Sequence, residues 1–159
     1  MGTSSARSSV RPCARGGCSI PDPEQTAAAR RWLRFAREDL RTARLIDRQP
    51  DGVPRECCWL AQQAAEKALK AALVFLGVDF PRTHNLADLR RLLPSAPSQQ
   101  RSAGDLAQLS RWGVEARYPG DWPEASQDDA RTAMAEAQSI LADVASALAA
   151  HGVADEELP

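Results

Sequence analysis

The stretch 55–76, RECCWLAQQAAEKALKAALVFL, most narrows what this chain can fold into. At about 100° per residue, Cys57, Ala61, Ala64, Ala65, Ala68, Leu69, Ala72, Phe75 and Leu76 share one wide arc, which predicts a helix buried over much of its circumference. Alanine dominates that arc, so neighbouring helices can approach closely. Cys57 and Cys58 read as core fillers, and Gly77 as the residue that closes the helix. On the remaining face Trp59, Gln62, Glu66 and Leu73 align. A tryptophan and a leucine flanking polar groups are not an ordinary solvated surface, so either another helix or a second subunit covers this line.

The rest of the chain supplies partners for such a helix. Residues 24–48 place Trp32, Leu33, Phe35, Ala36, Leu40, Ala43 and Ile46 on one face. Arg30, Arg34, Arg37, Arg41, Arg44 and Arg48 form a narrow stripe opposite, which reads as a solvated face or, more sharply, as a surface that tracks phosphates. Asp39 projects from the apolar face, where burial costs several kcal/mol unless a donor pairs with it. It predicts such a donor, by preference an arginine, or else a wet helix edge. The turn QPDGVP (49–54) ends this helix. A short helix over 86–93 has Asn85 as its N-cap and Asp88 at a capping-box position. A fourth helix spans 99–116 with Ala103, Leu106, Leu109 and Trp112 inward, and ARYPGDWPEAS is a loop. The last helix starts at the cap Ser126, with Asp128 and Asp129 at its positive end. Its stripe is Ala130, Ala133, Met134, Ala137, Ile140, Leu141, Val144 and Leu148, and His151 falls at a frayed end without a role. No strand candidate emerges. The expected fold is all-α, an antiparallel four- to five-helix bundle with an up-down core and a short third helix.

Composition agrees with one domain: 159 residues with 43% apolar content suffice for a modest core. Residues 1–23 are rich in Ser, Gly, Pro and Arg and read as a disordered tail, 24–151 as the bundle and 152–159 as a C-terminal tail. The net charge of −1 lacks the overall basicity that signals nucleic acid. Eighteen of the twenty basic residues are arginine, as GC-rich codon usage would produce, so a single arginine is weak evidence of function. No apolar run is long enough to span a membrane and no apolar core marks a secretory leader, so a cytoplasmic protein is expected. Cys13 and Cys18 have the spacing of half a zinc site, but no second pair follows; no metal and no cofactor are expected.

Three segments in order, WLRFAREDLRTARLI, CCWLAQQAAEKALKAALVFLGVDFPRTHNLADLRRLL and EARYPGDWPEASQDDARTAMAEAQSIL, resemble the HEPN domain family over residues 30–148. AQQAAEKALKA, RTHNL and ARYP are similar in detail. The resemblance implies a small helical bundle, commonly a homodimer, often encoded beside a minimal nucleotidyltransferase as a toxin–antitoxin pair. Some members are metal-independent endoribonucleases; others bind nucleotides or act as non-catalytic partners. The nuclease members have an arginine, then four to six residues, then a histidine. Here Gly77, Val78 and Asp79 precede His84 at those positions, and Val144, Ala145 and Ser146 precede His151, so the nuclease spacing is absent and enzymatic activity is left open.

FPRTHNL (80–86) then reads as an anion site. His84 and Asn85 stand at a helix N-terminus, and Arg82 adds a guanidinium suited to phosphate. Arg82, Thr83, His84, Asn85, Arg117 and Tyr118 are the expected nucleotide- or phosphate-binding residues, with Asp39 orienting an arginine. This requires the loop before the short helix and the Tyr118 bend to converge. In a catalytic version His84 is the general base or acid and Arg82 stabilises the phosphorane. The structural alternative has Arg82 paired with Asp39, His84 on a carbonyl and Tyr118 packed on the bundle. Three functions follow: a nucleotide- or RNA-binding partner of a minimal nucleotidyltransferase, with Tyr118 a conceivable acceptor of modification; an endoribonuclease toxin; or a structural module whose interface is Trp59, Gln62, Glu66 and Leu73.

Overall fold

The computed structural model describes residues 22–94 and 103–153. They form five helices and, among the described residues, no strand: α1 (Pro23–Asp47), α2 (Pro54–Phe75), α3 (Leu86–Arg91), α4 (Ala103–Glu115) and α5 (Gln127–Ala149). The expected all-α bundle with a short third helix is what the chain builds. Residues 1–21 and 154–159, with Cys13 and Cys18, lie outside the described residues, as do 99–102 of the expected fourth helix.

Local chemistry sets the helix ends. Asp22 accepts from the Glu24 amide at 2.8 Å and Pro23 occupies the first turn, so α1 begins one residue before Glu24. Asn85 accepts from the amides of Ala87 and Asp88. Ser126 and Asp129 form a reciprocal capping box, and its hydrogen bonds hold the Asp129 carboxyl below its usual range. Gly77 adopts φ +64°, and the Val78 amide reaches back to the Leu73 carbonyl at 2.9 Å, the six-to-one bond that closes α2. α5 closes the same way through Gly152 and Val153, and Val153 is buried. The end expected to fray is therefore packed, and His151 stacks on Phe75 with ring centroids 5.7 Å apart.

α2 is the central element and packs against the other four helices. Ala61, Ala64, Ala65 and Ala68 are all fully buried, which is the close approach the sequence implied. Cys57 and Cys58 are interior, and burial raises both thiols, Cys58 up to about 12, as befits core fillers. All eight residues of the α5 stripe are buried. Phe35 is a correction: it is exposed on α1, with the Arg34 guanidinium 5.3 Å from its ring.

The line read as an interface is also corrected. Gln62, Glu66 and Leu73 are interior within this one chain, and Trp59 is half-buried. α4 closes over the line at Gly113, where an added Cβ would come within 3.3 Å of the Gln62 side chain. At Gln62 the covering is another helix of the same chain, with Gly113 letting α4 approach closely.

Candidate functional site

Gln62, Glu66 and Lys70 follow one another at i, i+4 and i+8 along α2 and so share one strip of it. After Gly77 turns the chain, residues 78–85 run back beside that strip. Phe80 comes to lie 5.7 Å from the Lys70 ammonium, and Trp32 of α1 lies 5.8 Å from the same nitrogen. Farther along, the His84 carbonyl accepts from Gln62 Nε2 at 3.2 Å, and the Leu86 amide donates to Ser110 Oγ of α4 at 2.9 Å. These bonds fix the histidine beside the middle of α2.

Glu66 is the hub. It accepts from Lys70 Nζ at 2.6 Å and Gln62 Nε2 at 3.0 Å, and His84 Nδ1 lies 3.1 Å from Oε2 and 3.3 Å from Oε1. Burial alone would raise its pKa. The hydrogen bonds from Lys70, Gln62 and His84, with the Lys70 charge, outweigh burial, and the carboxyl ionises below its ordinary value. An ionised carboxylate can only accept, so the proton between the two groups sits on His84 Nδ1. In neutral His84 this leaves the Nε2 lone pair free. The His84 side chain is 61% exposed against 6% for Glu66 and 12% for Lys70. An interior carboxylate therefore orients a surface imidazole, an arrangement suited to holding an anion or to moving a proton.

The site differs from the expected one in three respects. Thr83 and Asn85 are occupied locally: Thr83 Oγ1 accepts from the Asn85 amide, and Asn85 Oδ1 caps α3. The amides counted on for an anion are thus already bonded, which leaves Arg82 and His84 as the groups that face outward. Arg117 and Tyr118 lie elsewhere. Arg55, in the first turn of α2, donates to the Ala116 carbonyl, eleven residues along α2 from Glu66, a separation of roughly 16 Å at the helical rise. There Tyr118 lines a cavity of about 500 Å³ with Trp112, Pro119 and Trp122, while Arg117 lies over the Tyr118 ring. Asp39 does acquire a cation across the helix pair, but it is Lys67 of α2 and not an arginine. The structural alternative is corrected too: the His84 ring meets the Glu66 carboxylate, not a carbonyl.

Sequence reasoning missed Lys70 and Lys67. A signal existed: they are the chain's two lysines, and both form ion pairs, one buried and one partly buried. Among the described residues no group of three His, Cys, Asp or Glu side chains is arranged to hold a metal ion.

Residues 29–147 match the HEPN domain family. TT1696 from Thermus thermophilus has a similar crystal structure, with 32% identity and a TM-score of 0.63 over 73% of this chain and 94% of that one. ST0689, an archaeal HEPN homologue, is 29% identical with a TM-score of 0.58 over 73% of this chain and 93% of that one. No curated protein matches.

Proposed function

Because the chain belongs to the HEPN domain family, we propose that it binds the phosphate of a nucleotide or of RNA at the exposed edge formed by His84 and Arg82. The observation behind this reading is the Glu66–His84 pair. The buried carboxylate fixes the ring so that one nitrogen stays outward, two residues from the exposed guanidinium of Arg82. When protonated, the imidazole donates to a phosphate oxygen while Glu66 holds the ring at Nδ1, and Arg82 offers the planar fork that phosphate accepts. Action as the non-catalytic partner of a minimal nucleotidyltransferase in a toxin–antitoxin-type module, as a homodimer in the cytoplasm, belongs to the same proposal and rests on the family. No helix among the described residues is long and apolar enough to cross a membrane.

A titration of the full chain with a nucleoside monophosphate tests this. Arg82→Ala and His84→Ala are each expected to lose about 1.5–3 kcal/mol, or about ten- to a hundredfold in Kd, since each removes a hydrogen bond to a charged group. Equal affinity in wild type and both variants would remove the site from this edge.

A second reading draws on the same pair. His84 Nε2 would take the proton of a ribose 2′-hydroxyl, the 2′-oxygen would attack phosphorus to give a cyclic phosphate, and the P–O5′ bond would break with water protonating the leaving oxygen. The missing arginine spacing argues against it. RNA incubated with the protein in EDTA is expected to stay intact; cleavage lost in His84→Ala would favour the nuclease instead.

A further inference from the structure

The arginine stripe of α1 has a second wall. Arg37, Arg41 and Arg44 line a groove of about 530 Å³ against Leu141, Ala142 and Ala145 of α5. A further section of about 350 Å³ continues from Arg44 to Arg48 and gains Arg131 from α5. Arg44 and Gln138 border both sections, so the two join end to end. Five arginines line the joined groove against one acid, Asp47. Arg44 donates to the neutral amide of Gln138 at 2.8 Å, and the Asp128 carboxylate beside Arg131 is 91% exposed. Arg41 and Arg48 are exposed and have no partner among the described residues. The groove is therefore concave and strongly positive.

We infer that this groove binds the backbone of single-stranded RNA. Steps of three and four residues along a helix place successive side chains about 5–6 Å apart, a single file that suits a linear run of phosphates. Guanidinium groups pair with phosphate oxygens two bonds at a time. The floor is Leu40, Leu141, Ala142 and Ala145, with no aromatic ring on which bases could stack, so binding follows charge and not sequence. The groove is on the flank of α1 opposite the His84 edge, since Trp32 and Asp39 on the near flank meet Lys70 and Lys67 of α2. It stands whether or not His84 binds a nucleotide.

Fluorescence anisotropy of the full chain with a fifteen-nucleotide oligouridylate, over a range of salt, tests the groove. The double variant Arg41→Ala/Arg48→Ala is expected to bind the oligonucleotide more weakly and to lower the slope of log K against log salt by about 1.4, at about 0.7 per lost single-strand phosphate contact. Its binding of a mononucleotide and its thermal midpoint stay at wild-type values, and Arg41→Lys/Arg48→Lys keeps the slope. The inference is overturned by an oligonucleotide affinity and slope unchanged in the double alanine variant. It is equally overturned by a polyglutamate peptide that competes as well as RNA, or by a wild-type dimer that the double variant dissociates, which would put a second copy in the groove.

Discussion

Glu66→Ala is expected to cost about 3–5 kcal/mol of folding stability, because it leaves a buried ammonium without its counter-charge. Lys70 is only 12% exposed and Glu66 6%, and Gln62 and His84 lose their acceptor in the same step. Removing both charges is a different change: Glu66→Leu/Lys70→Met retains volume and eliminates the desolvation of two ions, so much of the loss returns. Urea midpoints of wild type, single and double variants measure this. The pH dependence has a definite sign. The folded pKa of Glu66 lies below its ordinary value of 4.5, so its contribution is complete above that value. It is lost as pH falls through the folded pKa, and the gap between wild type and Glu66→Ala narrows there. A Glu66→Ala protein as stable as wild type at pH 7 would show that the carboxylate is not the hub described above.

Leu73→Ala is expected to cost about 2–5 kcal/mol, the usual consequence of a cavity at a fully buried leucine. Leu73 is 0% exposed within the single chain. Its loss therefore lowers the denaturation midpoint by the same amount at every protein concentration. A residue buried by a second subunit would instead give a midpoint shift that depends on concentration. Measuring wild type and Leu73→Ala at two concentrations a hundredfold apart separates the two cases, and a shift that grows on dilution would restore the subunit interface the sequence allowed.

The α5 stripe, the caps Asn85 and Ser126 and the alanine face of α2 were legible because each depends on residues within a few positions of one another. The line from Trp59 to Leu73 was legible as unusual, but periodicity gives the residues that share a face and not what covers it. At Gln62 that depended on Gly113, fifty-one positions later, admitting α4, and at Glu66 on residues 78–85 running back along α2. Phe35 lies at the margin of its helix's apolar arc, where a small rotation of α1 against its partners decides between core and solvent. The need for a cation at Asp39 followed from its place on an apolar face. Lysine rather than arginine met it because the pairing of α1 with α2 brings Lys67 opposite. In the candidate site, His84 and Arg82 could be singled out from sequence. Their separation from Arg117 and Tyr118 could not, since it depends on how far residues 78–85 run back along α2.

The most direct test of the account is the long-range ¹⁵N–¹H spectrum of the His84 imidazole, recorded without ligand and with a nucleoside monophosphate. A carboxylate at Nδ1 predicts the Nδ1–H form in the neutral ring, abolished as the dominant form in Glu66→Ala, and an Nε2 resonance that moves when the nucleotide is added. A neutral ring protonated on Nε2, with both nitrogens indifferent to the nucleotide, would contradict it.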